Sequence, residues 1–473
     1  MYRIKILLGL AVILSVTSAS IASNTIYVDV NGPNDPGSGT YNDPFRRIQA
    51  GINAAANDDV IQIRPGLYTG NGNYNLDPNG KSITIRSIDP NNPANTIIDP
   101  NGEGRGFYFH RGEDANCVIW GLTITNGVAD STTGYNGGNI YCYISSPTIR
   151  NCIMRNGYAE GSGGGLCCDY SYVTVINSTI KDNTAGGDYG YGGGISCQFL
   201  GSPTIIGCTI NGNTATMTGG GIFSGGSEPN ILNCIIIDNN AAAGGGINCY
   251  YSGTSHVVNC TIAGNRADYS GGAVFCWSGG GAIIENSILW ANSASEGMQL
   301  GLQDEGQASV TYCDVQGGQT GVYDPCENLV WGQGNTDSEP CFASFDPEAD
   351  PELWDFHLQS SYGRWNQNSH IWATDSNTSL CIDAGDPNSD WSGEPWPNGK
   401  RINMGAYGGT SQASKNGNPA DFDIDNLVDF ADFAKMANKW LAEQVCIEDL
   451  NNDGKVNFAD ISIFAENWLW TKK

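Results

Sequence analysis

The sequence GGGISCQFLGSPTIIGCTINGNTA, residues 192–215, decides the fold, because a second version, GGGIFSGGSEPNILNCIIIDNNAA, follows it at residues 219–242. Successive units lie 26, 29, 27, 25 and 27 residues apart, and they begin at Gly137, Gly163, Gly192, Gly219, Gly244 and Gly271. Internal repeats with a period of about 20–50 residues are typical of solenoids and related arrays. The middle of the chain therefore predicts one elongated, repetitive domain.

Each unit contains short apolar runs that suit β-strands. Examples are VTVINSTI at residues 173–180, PTIIGCTI at 203–210 and PNILNCII at 229–236. They are rich in β-branched residues, which favour pleated sheet, and they lack the apolar spacing of a helix. Short strands joined by Gly and Asn turns predict an all-β parallel β-helix, whose coils stack about 4.8 Å apart. The competing leucine-rich solenoid would need leucine and helix signatures that are missing.

Stacked coils place equivalent residues in columns. One predicted column contains Asn183, Asn213, Asn239, Asn265 and Asn292, and a second contains Ala185, Ala215, Ala241, Ala267 and Ala294. Stacked Asn amides can hydrogen-bond from coil to coil. Two further columns consist of cysteines: Cys152, Cys208, Cys234 and Cys260, and Cys142, Cys168, Cys197, Cys249 and Cys276. We expect these columns to be mostly reduced core ladders, because free Cys packs as a small hydrophobe.

Four further cysteines lie outside those columns and are better candidates for disulfides: Cys313, Cys326, Cys341 and Cys381. Both ends of a solenoid need caps. Residues 43–59, DPFRRIQAGINAAANDD, predict an amphipathic N-terminal cap helix with Pro44 near its start. Residues 379–409 predict the closing coils of a β-helix that spans residues 23–410.

Residues 1–22 have the pattern of a signal peptide. Arg3 and Lys5 precede an apolar stretch at residues 6–16, and small residues follow at Ser20 and Ala22. The apolar stretch is too short for a comfortable membrane span, and no later stretch is long enough. We therefore expect a secreted, extracellular or cell-surface protein without a membrane span after cleavage. We also expect a monomer.

Composition excludes some classes of protein. The 473 residues include 64 Gly without a three-residue period, which excludes collagen. The formal net charge is −27, which excludes a nucleic-acid binder that works through a basic surface.

The cap helix, the GLTITNG coil at residues 121–127 and the glycine-led repeats resemble the pectate-lyase-like right-handed parallel β-helix superfamily. The repeats also resemble those of polymorphic outer-membrane proteins. Residues 381–410 resemble the closing segment of exported, planctomycete-type β-helix proteins. The resemblance implies a right-handed coil and a carbohydrate-related role. It does not imply one activity, because the superfamily includes lyases, hydrolases, epimerases and adhesins.

A polar linker at residues 411–420 precedes two similar halves within residues 421–473. Each half opens with an EF-hand-like loop, in which oxygen side chains at positions 1, 3, 5, 9 and 12 can wrap Ca²⁺. These side chains are Asp421, Asp423, Asp425, Asp429 and Asp432 in the first loop, and Asp449, Asn451, Asp453, Asn457 and Asp460 in the second. Position 6 is Asn426 or Gly454, and both residue types tolerate a left-handed turn.

This duplicated loop and helix resembles a type I dockerin, which implies a small α-helical module that binds Ca²⁺ and docks onto a cohesin-like scaffold. The family docks through loop positions 10 and 11, often Ser or Thr. Here these positions are Phe430-Ala431 and Phe458-Ala459. The departure questions a standard cohesin partner and suggests either a more apolar contact or residues that pack the helices.

Catalytic candidates come from the column alignment. Arg155 and Lys181 share one column on adjacent coils, and residues 24–410 contain only two other lysines. Lyases of this superfamily use a Lys or Arg to remove the proton beside a substrate carboxylate, with carboxylates for Ca²⁺. The resemblance therefore implies a site with Lys181, Arg155 and Asp182. The alternative is a solvated face with incidental charges. Nearby Tyr158, Tyr189 and Tyr191 can stack on sugar rings.

The sequence leads to three hypotheses. The first is a secreted carbohydrate-active β-helix, a calcium-dependent pectate-like lyase that acts on an extracellular polysaccharide and is tethered through the dockerin-like module. The second is a non-catalytic glycan-binding or adhesive surface solenoid, and the third is a structural spacer. The charge of −27 disfavours a polyanionic substrate over long range unless cations intervene.

Overall fold

The computed structural model describes residues 23–441, 446–451 and 453–471, and the predicted signal peptide at residues 1–22 lies outside them. Between Thr25 and Trp331 the chain forms a parallel β-helix, as the repeat predicts. Each full coil passes through sheets A, B, D and C in turn, and every strand pairs in parallel with its counterparts on neighbouring coils.

Sheet A has twelve strands and sheet B has ten. The strands of sheet A are Thr25–Val28, Val60–Ile63, Thr84–Ser87, Val118–Trp120, Thr148–Arg150, Thr174–Ile176, Thr204–Ile206, Asn230–Leu232, Thr254–Val258, Gly281–Glu285, Gln307–Thr311 and Leu329–Trp331. The strands of sheet B are Gly66–Tyr68, Thr96–Ile98, Thr123–Thr125, Ile153–Arg155, Thr179–Lys181, Thr209–Asn211, Ile235–Ile237, Thr261–Ala263, Ile288–Trp290 and Asp314–Val315.

Sheet C has nine strands and sheet D has six. The strands of sheet C are Phe107–Phe109, Ile140–Tyr143, Leu166–Asp169, Ile195–Gln198, Ile222–Gly225, Ile247–Tyr250, Val274–Trp277, Leu300–Gln303 and Val322–Tyr323. The strands of sheet D are Val128–Ala129, Tyr158–Ala159, Thr184–Ala185, Thr214–Thr218, Asn240–Ala243 and Arg266–Ala267.

The core of the solenoid is a stack of aliphatic side chains. Ile149, Val175 and Ile205 pair in register on successive coils of sheet A, and all three are fully buried. Their sequence neighbours point outward, because side chains alternate between the faces of a strand. The same pattern in each sheet explains why apolar residues recur at the coil period.

The predicted Asn column is confirmed. Asn183 Nδ2 donates to Asn213 Oδ1 at 2.9 Å, and the same bond repeats from Asn213 to Asn239, from Asn239 to Asn265 and from Asn265 to Asn292. Each of these amides also donates to a main-chain carbonyl of the preceding coil. The ladder therefore satisfies buried polar groups that the turn would otherwise leave unpaired.

The glycine triplets have a steric cause. A Cβ at Gly193 would lie 2.5 Å from the carbonyl oxygen of Thr214 on the next coil, and Gly192 has φ 68°. A side chain at either position would separate the coils or strain the turn.

All sixteen cysteines are described, and none forms a disulfide. The expectation of disulfides outside the ladders is wrong, because none of Cys313, Cys326, Cys341 and Cys381 is bonded. Cys313 instead extends a ladder. The Ser287 amide donates to Cys313 Sγ, and Ser287 Oγ in turn accepts from the amide of Cys260. Ser287 interrupts the column of cysteines. The sequence pattern therefore did not show that Cys313 belongs to this column.

The N-terminal cap helix is present but shorter than predicted. Helix α1 spans Ile48–Ala54, and Ile48 and Ile52 are buried against the first coil. Residues 44–47 are not helical, because Phe45 makes main-chain hydrogen bonds with Tyr27 and Asp29 of the first coil.

Residues 379–409 do not form the closing coils that we expected. They belong to a longer segment, residues 340–413, which contains two antiparallel pairs, Phe342–Ser344 with Asp355–Leu358 and Arg364–Asn366 with Ile371–Ala373. A short 3₁₀ turn lies within it at Pro351–Leu353, and two others lie earlier in the chain, at Pro93–Asn95 and Gly318–Gly321. We call residues 340–413 the return segment. It carries six prolines, which cannot donate to a parallel ladder.

The return segment folds back over the outer face of sheet B. The Gly405 amide donates to the Asn286 carbonyl, and Asn233 Nδ2 donates to the Gly408 carbonyl, both at 2.8 Å. An apolar cluster joins the two parts: Ile237, Ile288 and Trp290 from sheet B, with Phe342, Phe356, Cys381 and Met404 from the return segment. The segment is thus a wall on the solenoid and not its continuation.

The C-terminal module contains helices α2, Phe430–Asn438, and α3, Phe458–Glu466. Its core includes Phe422, Met436 and Phe464, and Trp396 of the return segment packs against it. The segment that we expected to be a linker, residues 411–420, is packed: Ser414 Oγ donates to the Leu358 carbonyl at 2.6 Å, and Ala413 and Ala420 are buried. No helix in the described residues is long and apolar enough to cross a bilayer.

Candidate functional site

A cleft of about 450 Å³ lies where the return segment meets sheet B. Its floor consists of strands Ile153–Arg155, Thr179–Lys181, Thr209–Asn211 and Ile235–Ile237. Its wall consists of residues 351–356 with Gln367 and Tyr407. A second cavity of about 410 Å³ shares Thr179, Thr209, Ile235, Gln367 and Tyr407 with the first, so the two form one groove.

The groove contains the cation pair that the sequence predicts. Arg155 and Lys181 are direct register partners on adjacent strands of sheet B, and both line the cleft. Arg155 Nε is buried and has no hydrogen-bond partner among the described residues. A half-buried arginine with an unpaired Nε donor is a ready partner for an anionic group that enters the cleft.

Lys181 already contacts a carboxylate that sequence reasoning missed. Its Nζ forms a short ion pair with Glu352 of the return segment, and it lies 3.9 Å from Asp182 Oδ2. Glu352 is 171 residues away in sequence and belongs to no repeat. Nothing in the repeat pattern indicates this contact, because the return segment brings Glu352 to the cleft by folding back.

Two acidic residues directly follow strands that form the floor of the cleft. Asp182 and Asp238 occupy equivalent left-handed turn positions two coils apart, with φ 54° and 52°. The intervening residue is Gly212, where a Cβ would lie 2.8 Å from Asp182 Oδ1. Burial raises the pKa of Asp238, and the charges of Asp182 and Asp350 raise it further. These carboxylates do not converge on one point, so we assign no metal ion to the cleft.

Tyr407, which lines the groove, is held in place by a buried histidine. Its ring stacks on His357 with centroids 3.6 Å apart, and His357 is fully buried. His357 contacts Asp355 through Nδ1 and Gln412 through Nε2. Burial opposes ionisation of Asp355, but the hydrogen bond and charge of His357, with Arg364, outweigh it and lower its pKa. This network fixes the wall of the groove.

The first acidic loop of the C-terminal module brings ligands together. Among the described residues, only Asp421, Asp423 and Asp432 form a group of three or more candidate ligands that all lie within 4.8 Å of one another. Asp423 Oδ1 is buried without a hydrogen-bond partner in the described part. Burial raises the pKa of Asp421 and Asp423, and neighbouring carboxylates, Asp432 first, raise both further. A hard divalent cation such as Ca²⁺ fits this donor set.

Other predicted ligands have structural roles as well. Asp429 and Asn457 are the N-caps of α2 and α3, and they accept from the amides of Ala431 and Ala459. Asp425 accepts from the Leu427 amide.

The second loop shares the hydrogen-bond pattern of the first. Asp449 accepts from the amides of Asp453 and Gly454, and Asp460 accepts from those of Asn451 and Asn457. Position 6 is left-handed in both loops, with φ 69° at Asn426 and 88° at Gly454.

The fold and these sites define a right-handed parallel β-helix with a walled groove and a two-loop acidic module. Residues 105–289 match the family described as "Right handed beta helix region". A stretch of 89 residues is 34% identical to metabotropic glutamate receptor-like protein R of Dictyostelium discoideum; it covers 19% of this chain and 5% of that protein. The chain therefore spans about one twentieth of that relative.

A solved pectate lyase structure agrees with the fold. Pectate lyase Pel9A superposes with a TM-score of 0.53 at 17% identity, over 84% of this chain and 98% of the lyase. A rhamnogalacturonan lyase gives a TM-score of 0.39 at 14% identity, over 70% of this chain and 95% of that one. At these identities the likeness concerns the fold, and the chemistry has to be argued from the residues of this chain.

Proposed function

We propose that this protein is a secreted, carbohydrate-active β-helix that cleaves a uronic acid polysaccharide by β-elimination. The observation that carries the proposal is the cation pair Arg155 and Lys181, in register at the floor of a walled groove, with a carboxylate already bound to Lys181. Glu352 occupies the space beside Lys181 that a substrate would enter. An extended groove that crosses several coils suits a polymer.

The chemistry follows from these groups. Arg155 binds the uronate carboxylate and stabilises the charge that develops on it when the neighbouring carbon loses its proton. Lys181 accepts that proton. The electron pair of the broken C–H bond forms a carbon–carbon double bond, the bond to the glycosidic oxygen breaks, and the leaving oxygen takes a proton from water. Lys181 then gives its proton to the hydroxide that remains, and Asp182, 3.9 Å from Lys181 Nζ, balances the charge of the ammonium in the interval.

Glu352 makes this site self-limiting. Its ion pair occupies Lys181 Nζ, so substrate must displace Glu352 before Lys181 can act as a base. Glu352, on the wall of the groove, therefore competes with substrate for Lys181.

The test is the ultraviolet absorbance of unsaturated product with pectate, alginate and other polyuronates. Lys181→Ala and Arg155→Ala should each lower kcat/KM by about 100-fold or more. Arg266→Ala is the matched control, because this exposed cation belongs to sheet D and its one ion pair within the described residues is a long contact with Asp268. Full activity in Lys181→Ala would reject the site. Retention of glycan without any product would favour the adhesive solenoid instead.

For the C-terminal module we propose Ca²⁺ binding and a tethering role like that of a dockerin. Ca²⁺ would supply charge neutralisation to Asp421, Asp423 and Asp432, and it would couple metal binding to folding of α2. Calorimetry of the full chain should show Ca²⁺ binding that Asp423→Asn weakens. Absence of any binding heat at millimolar Ca²⁺ would reject this role.

Two exposed aromatic residues give the module a docking surface. Phe430 and Phe458 are 75% and 77% exposed, and each meets a tryptophan edge-on, Trp468 at 4.9 Å and Trp440 at 5.0 Å. We propose that they contact an apolar face of a cohesin-like scaffold domain. The double change Phe430→Ala, Phe458→Ala should abolish calcium-dependent retention on immobilised cohesin domains. Equal retention of the double variant and the parent would exclude this surface.

A further inference from the structure

Sheet C carries an outer face that the proposed lyase groove does not use. Aromatic rings stack along it from coil to coil: Tyr108 on Tyr141 with centroids 5.4 Å apart, and Tyr250 near Trp277 at 5.1 Å. Register places Asp169, Gln198, Gly225, Tyr250 and Trp277 in one outward column. The column therefore lacks a ring at Asp169, Gln198 and Gly225, before the rings of Tyr250 and Trp277 begin.

The missing rings leave a notch of about 410 Å³. Gly225 has no side chain, and Gln198 turns its amide toward Ser196 Oγ at 2.8 Å, which keeps the space open. One wall is Phe199 stacked on Tyr170 at 5.1 Å, and the opposite wall is Tyr250 with Tyr251. Phe223 forms the floor. We call this notch the ring gap.

The chemistry of the ring gap points to an uncharged ligand. No charged side chain lines it, in a protein of net charge −27. An anionic ligand would find no cation there, in contrast to the lyase groove with Arg155 and Lys181.

The tyrosine hydroxyl groups around the ring gap provide hydrogen-bonding groups at its edge. Within the part of the chain that the structure describes, the hydroxyls of Tyr170, Tyr191, Tyr250 and Tyr251 have no hydrogen-bond partner, although the four rings border one apolar space. Aromatic faces with hydroxyls at the rim match a flat ring that has C–H faces and hydroxyl edges. A pyranose ring has this form, whereas an apolar protein side chain would leave the phenols unused.

We propose that the ring gap is a second glycan-binding site, which holds an uncharged pyranose unit of a polysaccharide chain between Phe199 and Tyr250. It goes beyond the proposed lyase function, because it needs neither Arg155 nor Lys181 and takes a neutral glycan. Its role is to hold the protein on a neutral polysaccharide while the groove on sheet B remains free.

The test is calorimetry of the full chain with cellohexaose, xylohexaose, mannohexaose and, as the charged comparison, hexagalacturonate. At least one neutral hexasaccharide should bind. Phe199→Ala and Tyr250→Ala should each weaken its affinity about tenfold. Tyr269→Ala is the control, because Tyr269 is 69% exposed and lies outside the ring gap. Gln198→Tyr should fill the gap and abolish binding without lowering the melting temperature.

Three results would overturn the proposal. They are no binding of any neutral hexasaccharide up to millimolar concentration, binding that Phe199→Ala and Gln198→Tyr leave unchanged, or a dimer of this chain that Phe199→Ala dissociates. Lyase activity on hexagalacturonate should be the same in all these variants. Loss of neutral binding with intact lyase activity, and loss of lyase activity in Lys181→Ala with intact neutral binding, separate the two proposals.

Discussion

Removal of one Asn side chain from the Asn ladder should destabilise the solenoid more than removal of any other single side-chain amide. We choose Asn239→Ala, because Asn239 is fully buried and central in the ladder. Its Oδ1 accepts from the main-chain amide and the Nδ2 of Asn213, at 3.0 and 2.9 Å. Its Nδ2 donates to the Ile210 carbonyl and to Asn265 Oδ1, both at 2.9 Å.

The magnitude follows from these four bonds. Each contributes about 1 kcal/mol net, and a buried partner left unpaired costs about 1–3 kcal/mol. Alanine removes all four bonds at once. The groups around its methyl group are polar, so burial of the methyl group does not offset the loss. We therefore expect the free energy of unfolding to fall by about 4 kcal/mol or more, a large share of the total of about 5–15 kcal/mol for a typical domain.

The assay is urea unfolding followed by far-ultraviolet circular dichroism, with Asn211→Ala as the matched control. Asn211 is on the strand just before the ladder residue Asn213, but its Oδ1 makes no hydrogen bond among the described residues. Asn211→Ala should change the free energy of unfolding by about 0.5 kcal/mol or less. Equal effects of Asn239→Ala and Asn211→Ala would refute the view that the ladder bonds hold the coils in register.

Three other changes test the groove, the calcium loop and a buried acid. Glu352→Gln should raise kcat/KM of the proposed lyase several-fold, because it frees Lys181, and a fall would mean that Glu352 assists catalysis. Asp423→Asn should abolish the rise in melting temperature that Ca²⁺ gives the parent, whereas Asp429→Asn should keep most of it, because either side chain can cap α2. Burial raises the pKa of Glu394 from 4.5 to about 7. The unfolded chain then ionises at lower pH than the folded chain, so stability should fall between about pH 4.5 and pH 7, by about 3 kcal/mol. Glu394→Gln should remove this fall when urea unfolding is compared at pH 5 and pH 8; an unchanged pH profile would contradict it.

The coils could be predicted because each one places the same steric and hydrogen-bonding requirements on equivalent residues. A residue that must be small at Gly193 or paired at Asn213 recurs one coil later, so the columns are visible in the sequence alone. The same periodicity placed Arg155 beside Lys181, and the structure confirms this register. Half of the candidate site thus follows from the sequence.

The other half could not be predicted, because it comes from a segment without a period. The return segment supplies Glu352, Trp354 and Tyr407 to the groove, and its position depends on an apolar patch of sheet B, Ile237 and Ile288, meeting its own aromatic residues. Such a contact depends on the shape of two folded surfaces and leaves no spacing in the sequence.

The same apolar patch explains where the groove lies. Ordinary outward positions of sheet B are polar or charged, as at Lys181 and Asn211, but the later coils present Ile237, Ala263 and Trp290, which are buried under the return segment. The return segment packs directly on those apolar coils and leaves a groove at the polar ones, where its edge lies beside Lys181. Glu352, at that edge, then pairs with Lys181. The groove is therefore the boundary between the covered and the uncovered part of one sheet, which is why its floor is repetitive and its wall is not.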